Sequence, residues 1–357
     1  RRIVRVSFIA LVGFAAAAAG TGGISQILPT GFIPSEDRGA FFVDIRLPDG
    51  ASLERTSAVI ERVETMIMEK EGVADVLTVG GYSLLSGAVS SNAGFVVATL
   101  EPWDERGEEG LSLENILARL VPQLQAVSEA TILPFNPPPI PGLGTTGGFQ
   151  FVLQDTEGRS PSVLASAVNG LVIAANGNPD LQRVFSTYRA NIPQYFVDLD
   201  RERAKTRGVA ISDVFQVRSA NFGSYYVNDF NKFGRLYRVY IQAEGDRRIR
   251  PDQIGDLFIR NNNGDMVPMR ALVNVEPVLG PETIERYNLF RAATLNGDPA
   301  RGRSSGQAIV AMEETARTTM PSGFAFEWTG MSLEEIKAGA AGSSILLLSV
   351  LFAYLFL

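Results

Sequence analysis

Between Val6 and Leu28 the chain carries no charged side chain, and no other feature restricts its fold as much. Coiled as a helix, that stretch would reach roughly 35 Å, enough for a hydrocarbon core of about 30 Å. Arg1, Arg2 and Arg5 stand just before it. The far end repeats the pattern, with no charge from Ala338 to Leu357 and an almost purely aliphatic and aromatic run from Ile345. A basic start, an apolar stretch and the small residues Ala15 to Ala19 also describe a secretory signal peptide. The second apolar end, and a first residue that is Arg rather than Met, favour a piece of a larger membrane protein. The spacing thus predicts a transmembrane helix over 1–30 and the start of another over 338–357. The arginine cluster would stay cytoplasmic, leaving the residues between the two ends outside.

Composition narrows what that outer region can do. The chain has no His and no Cys, which excludes Ser-His-Asp and Cys-His nucleophile systems, thiol redox chemistry and zinc sites with the usual ligands. No cofactor and no metal site is expected, and a function that breaks no covalent bond fits better than an enzyme. Without cysteine the region must hold together by core packing. Lys and Arg total 32 against 39 Asp and Glu, a net charge of −7, so nucleic acid is not an expected partner.

The order of periodicities points to an α+β fold. Ala40 to Leu47 reads as a strand, Ser52 to Lys70 as a helix capped by Ser52, and Val73 to Val79 and Gly94 to Leu100 as two strands separated by the Gly- and Ser-rich stretch Gly80 to Asn92. Ser112 caps a second helix, which Pro122 can kink, and Thr131 to Phe135 closes the unit as a strand. This β-α-β-β-α-β order is ferredoxin-like, with boundaries at 38–140. A second copy begins with a strand at Phe149 to Leu153, a helix after Ser160-Pro161 and a strand at Leu181 to Tyr188. It resumes with a strand at Tyr287 to Leu295, a helix at Ser305 to Thr318 and a strand at Phe324 to Trp328. The copy is therefore split into 141–190 and 281–330 around an insertion at 191–280. That insertion reads as β-rich, with hairpins around Asn231 to Gly234 and Asn262 to Asp265. Its aromatics (Phe222, Tyr225, Tyr226, Phe230, Phe233, Tyr237 and Tyr240) could form an interface or a core, and a core is expected for most of them.

Three local motifs invite chemical readings. Gly142, Gly144 and Gly147 spell G-x-G-x-x-G, but a proline run precedes them and a strand follows, so a flexible hinge is expected rather than a nucleotide loop. Asn261 to Asp265 lacks the ligand spacing of a calcium-binding loop and reads as a hairpin turn. Asp104, Glu105, Glu108 and Glu109 form a carboxylate cluster that reads as a solvated loop.

Longer motifs carry a resemblance. Phe32-Ile33-Pro34-Ser35-Glu36-Asp37, Gly223-Ser224-Tyr225-Tyr226-Val227-Asn228-Asp229-Phe230, Glu285-Arg286-Tyr287-Asn288 and Trp328-Thr329-Gly330-Met331-Ser332 occur in this order. Together they resemble resistance-nodulation-division multidrug efflux transporters of the hydrophobe/amphiphile branch, specifically the second periplasmic loop with its flanking membrane segments. The resemblance covers essentially the whole chain. It implies two porter subdomains, the second interrupted by a docking subdomain. It also implies a homotrimer in the inner membrane of a Gram-negative-type bacterium, with the bulk of this chain in the periplasm. Substrates would be amphiphilic or hydrophobic small molecules drawn from the periplasm or membrane lipid. The implied partners are a periplasmic adaptor and an outer-membrane channel.

By the same resemblance, Gly80, Gly81, Ser83 and Gly87 belong to a flexible switch loop between two pockets. Leu77, Tyr82, Leu84, Val97, Phe135 and Phe185 fall at pocket positions. Of the first-subdomain positions only Tyr82 and Phe135 are aromatic, and strand core is an equally open reading for Leu77 and Val97. Neither apolar end holds an ionisable residue, so the resemblance places proton coupling outside this chain. A membrane-anchored extracytoplasmic sensor or interaction protein is the alternative reading. An enzyme acting through paired carboxylates comes third.

Overall fold

The structure, a computed structural model, describes residues 36–107 and 110–356 together with a few isolated positions before 36. Contacts divide the chain into two units, one formed by 1–190 with 281–357 and the other by 191–280.

In the first unit the chain runs β1 (Ala40–Arg46), α1 (Leu53–Met68), β2 (Val73–Tyr82), β3 (Val89–Leu100), α2 (Leu113–Gln125) and β4 (Thr131–Phe135). The Ser52 and Ser112 side chains accept from the backbone N–H of Arg55 and Asn115, starting the two helices where the sequence predicts. Pro122 lies inside α2, whose helix continues to Gln125. The four strands form an antiparallel sheet in the order β2-β3-β1-β4. Alternation puts Phe41, Val43 and Ile45 of β1 and Val96 and Ala98 of β3 in one buried cluster with Val59, Ile60, Val63 and Ile67 of α1 and Ile116, Leu120 and Leu124 of α2. Both helices therefore cover one face, and among the described residues no helix lies over the other.

The chain continues through β5 (Phe149–Asp155), α3 (Pro161–Asn176) and β6 (Leu181–Ser186). After the second unit it returns as β13 (Glu285–Tyr287), β14 (Phe290–Pro299), α6 (Ser305–Thr319), β15 (Phe324–Thr329) and α7 (Gly330–Phe356). In the second sheet β14 pairs with β13, β6 and β5, and β5 pairs with β15. Phe151 packs between Phe326, stacked at 5.0 Å, and Trp328, edge-on at 5.1 Å. Leu164, Leu171 and Met312 from α3 and α6 fill the same core.

The second unit comprises β7 (Ile192–Leu199), α4 (Arg201–Thr206), α5 (Ile211–Arg218), β8 (Tyr225–Lys232), β9 (Arg235–Ile241), β10 (Phe258–Arg260), β11 (Met266–Pro268) and β12 (Val273–Gly280). Its core gathers Ala204, Val209, Val214, Ile259, Val267 and Met269. A π-helical turn at Ser219–Gly223 extends α5 toward the hairpin β8–β9. The hairpin turns at Phe233 and Gly234, both with positive φ, a two-residue turn whose twist suits antiparallel strands. Every residue of β8 is exposed, which overturns the expectation that its aromatics fill a core. Among the described residues β8 and β9 form a two-stranded ribbon that no third strand joins, so Tyr226 meets Tyr240 and Phe230 meets Tyr237 across the strands instead, at 5.7 and 5.4 Å. At 261–265 the Asn261 Oδ1 accepts from the N–H groups of Asn263 and Asp265, closing a plain hairpin turn between β10 and β11.

Among the described residues no helix is long and apolar enough to cross a membrane, so the two spans expected from the sequence are not met there. The stretch 6–28 falls largely outside the described residues, and so do most of the side chains of 338–357, whose backbone continues α7.

Candidate functional site

One row across the helix-free face of the first sheet is apolar from edge to edge. The strand registers place Leu77 beside Val97, Val97 beside Phe42 and Phe42 beside Phe135, one row through all four strands. The next row runs Val79, Phe95, Asp44 and Leu133. Phe42 meets Phe95 and Phe135 edge-to-face at 5.3 and 5.8 Å, a geometry that favours ring pairs. Exposure grades along the row: Phe135 is buried, Phe42 and Val97 are half-buried, and Leu77 at the outer strand is 62 % exposed.

One end of this face is closed by a short loop. The strands are longer than the sequence suggests, because β2 runs through Gly80 and Gly81 to Tyr82 and β3 begins at Val89, so the connection shrinks from Gly80–Asn92 to residues 83–88. Gly80 and Gly81 are therefore strand residues, a correction to their reading as switch loop. Gly80 pairs with Gly94 beneath α1, and a Cβ on Gly94 would lie 2.5 Å from Ile60 Cδ1. Here glycine admits the helix rather than loosening the strand. Gly81 takes φ +84° at the irregularity between Gly80 and Tyr82, a conformation glycine adopts at little cost.

The loop itself is tied down. The Ser83 hydroxyl, wholly buried, donates to Asp44 Oδ1 at 2.7 Å, and the Ser83 N–H donates to the Ala88 carbonyl at 3.0 Å. Arg46 donates to Ser86 Oγ at 3.3 Å and to Glu282 Oε2 at 2.5 Å. Burial pushes the Asp44 carboxyl above its ordinary value, against the hydrogen bonds from Ser83, Leu85 and Leu84 and the charge of Arg46. Leu84 and Tyr82 are half-buried, and Gly87 sits at φ +65° in the loop.

Phe185 does not join this group. It lies on β6 in the second sheet, opposite Asn296. On the side of that sheet away from α3 and α6, Gln150 and Asn296 are covered: Gln150 Nε2 donates to Asn296 Oδ1 at 3.1 Å and to Thr145 Oγ1 at 2.8 Å, and Thr146 Oγ1 donates to Asn296 Oδ1 at 3.3 Å. The G-x-G-x-x-G segment thus packs against the sheet and is not a free hinge. A Cβ on Gly144 would stand 2.5 Å from Gln150 Oε1, and one on Gly147 would stand 2.8 Å from the Pro137 carbonyl oxygen.

A second concavity, of about 590 Å³, is lined by Asp37, Trp103, Arg106 and Ser112. The Arg106 guanidinium donates to both Asp37 oxygens and to the carbonyls of Glu101 and Leu111. Burial raises the Asp37 carboxyl, but the bonds from Arg106, Leu113 N–H and Gly39 N–H outweigh it and hold the value at about 2. These contacts brace the start of α2 and leave neither charge free for a ligand. Of the neighbouring acidic cluster, Asp104 and Glu105 lie in a turn, while Glu108 and Glu109 lie outside the described residues.

The model of the AcrB/AcrD/AcrF family matches residues 1–357. The chain belongs to that family. Its relatives include the multidrug export protein AcrF of Escherichia coli (strain K12), 36 % identical over 331 residues, covering 92 % of this chain and 32 % of AcrF. The solvent-resistant pump membrane transporter SrpB of Pseudomonas putida is 34 % identical over 347 residues, 97 % of this chain and 33 % of SrpB. The multidrug resistance protein MdtF of E. coli (strain K12) is 34 % identical over 330 residues, 92 % of this chain and 32 % of MdtF. The chain spans about a third of the length of these curated relatives. They are named as a multidrug export protein, a solvent-resistant pump membrane transporter and a multidrug resistance protein, so the resemblance to the AcrB-like resistance-nodulation-division family stands and the sensor reading is not favoured.

Within this family member, the structure brings Leu77, Val97 and Phe135 into one row and sets Tyr82, Ser83 and Leu84 at its closed end. Phe42, Phe95, Leu133 and Asp44 complete the face, yet sequence reasoning did not single them out. Their signal was the period of two in β1, where Phe42, Asp44 and Arg46 alternate with Phe41, Val43 and Ile45. A carboxylate inside such a strand marks the second face.

Proposed function

We propose that this chain is the periplasmic substrate-handling and docking portion of a proton-driven exporter of amphiphilic or hydrophobic molecules. The helix-free face of the first sheet is its substrate surface. Residues 38–140 act as one ferredoxin-like porter subdomain, 141–190 with 281–330 as a second, and 191–280 as a docking subdomain. Membrane segments at 1–30 and 338–357 tie them to the inner membrane. The protein works as a homotrimer with a periplasmic adaptor and an outer-membrane channel, and its coupling carboxylates lie outside this chain.

The observation that carries the proposal is the row Leu77, Val97, Phe42 and Phe135. A soluble sheet usually faces water with polar side chains on the side its helices leave open. An apolar face there suits ligands held by shape-tolerant apolar and aromatic contact rather than by fixed polar groups. The relatives' names, multidrug and solvent pumps, support the same class of substrate. The test is export of the neutral dye Nile red by the full-length transporter in a pump-deficient bacterium. Val97→Asp should abolish export with normal membrane levels of the protein. Unchanged export in that variant would defeat the assignment of this face.

A further inference from the structure

Asp44 is the one carboxylate in the two central rows of that face. Phe95 stands opposite it on β3 and Leu133 on β4, Phe42 lies two residues away on the same side, and the residue is only 3 % exposed. Its hydrogen-bond donors all come from the closing loop: the Ser83 hydroxyl at 2.7 Å, with the backbone N–H groups of Leu85 and Leu84. Arg46, the next side chain along the face, already serves Glu282 and Ser86. Two carboxylates to one guanidinium leave this corner with a net negative charge, and Asp75 adds an exposed acid on the same face of β2.

Resting on the reading of this face as the substrate surface, we propose that Asp44 is a specificity-determining residue that makes the face prefer amphiphilic cations. The 83–88 loop is the cover that such a cation displaces.

The preference follows from what lifting the loop does. Once Ser83, Leu84 and Leu85 move away, the carboxylate loses its donors in an apolar setting, and an unpaired buried charge is costly. A cationic ligand replaces those donors with its own charge while its apolar body covers Val97 and Leu77, the exposed end of the row. The rings of Phe42 and Phe95 flank the same spot and add cation–π attraction. A neutral amphiphile gains only the apolar contact, and an anionic one is repelled. A ligand shifts the loop only by its differential affinity for the open state, so cations open it most.

The experiment measures binding of rhodamine 6G, a cationic dye, and Nile red, a neutral one, to the purified full-length transporter by fluorescence polarisation. Asp44→Asn should weaken rhodamine 6G about tenfold and leave Nile red within about twofold. Ser83→Ala keeps the carboxylate but loosens its cover, and should strengthen rhodamine 6G about two- to threefold while leaving Nile red unchanged. Equal changes for both dyes in Asp44→Asn, or weaker rhodamine 6G binding in Ser83→Ala, would overturn the proposal, the second variant deciding if the first does not fold. Phe42→Ala separates the two levels. Unchanged binding of both dyes in that variant contradicts the face itself, whereas weakened binding of both dyes without a dye preference in Asp44→Asn contradicts Asp44 alone.

Discussion

The two sheets of the first unit share a plan and differ on one side. Each covers one face with two helices and fills that layer with aliphatic and aromatic side chains. On the opposite face the first sheet shows Leu77, Val97 and Phe42 without a helix over them. The second sheet shows Gln150 and Asn296, sealed by the segment that carries Thr145 and Thr146. The helix side of such a unit is a stability problem with one answer, core packing. The other side is free to vary, and here the first sheet carries an apolar row where the second carries a polar joint. Function is therefore sought on the first.

The largest effect should come from the side the sheets share. Phe151→Ala removes a fully buried ring from between Phe326 and Trp328 and should cost about 3–5 kcal/mol, seen as a large fall in the unfolding midpoint of the full-length protein. Phe42→Ala, on the open face, should cost clearly less, because that residue is only half-buried. A Phe42→Ala loss as large as that of Phe151→Ala would erase the distinction between the faces.

Next comes the polar joint. Gln150→Leu removes the amide that donates to Asn296 Oδ1 and Thr145 Oγ1, leaving Asn296 with Thr146 alone, and should cost about 1–3 kcal/mol. Hydrogen exchange in β5 and β14 should quicken, while β1 and β3 stay protected. Equal quickening in both sheets would contradict independent far faces.

Ser83→Ala is smaller, about 1–2 kcal/mol, and acts on the loop alone. It has a pH signature. Because burial raises the Asp44 carboxyl above 3.8, the folded protein holds that proton more tightly than the unfolded chain. Its stabilising contribution is complete below 3.8 and is lost as pH rises through the folded value. Asp37 behaves oppositely: its folded value is about 2, so its contribution is present above 3.8 and disappears as pH falls toward 2. Asp44→Asn should flatten the first slope and Asp37→Asn the second in pH-dependent unfolding. Exchanged slopes would refute both assignments.

The smallest effect belongs to the surface. Arg62 and Glu129 pair at 2.9 Å with both side chains well exposed, and Arg62→Ala should change stability by less than about 1 kcal/mol. A larger loss would mean that this pair braces α1 in a way its exposure does not suggest.

Much of the fold was legible because period and caps are local. Ser52, Ser112 and the stripes behind them predict α1 and α2, and alternation predicts β1 and β4. What was illegible depends on partners distant in sequence. Gly80 to Asn92 reads as a loop because glycine and serine are poor strand formers, yet Gly80 and Gly94 pair under Ile60 and the hairpin extends. The aromatics of β8 and β9 read as core because such side chains usually are, yet in a two-stranded ribbon they are exposed. Leu77, Val97 and Phe135 were recognisable singly, but their alignment with Phe42 needed the strand registers. Asp44 needed the loop that folds over it.

The most direct measurement of the central assignment is maleimide labelling of single cysteines placed in an otherwise cysteine-free transporter, with and without bound rhodamine 6G. Leu77→Cys probes the open face, and Ile173→Cys probes a residue of α3 that is 75 % exposed. If the helix-free face of the first sheet is the substrate surface, the dye slows labelling at position 77 and leaves position 173 unchanged. Equal labelling rates at position 77 with and without saturating dye would contradict it.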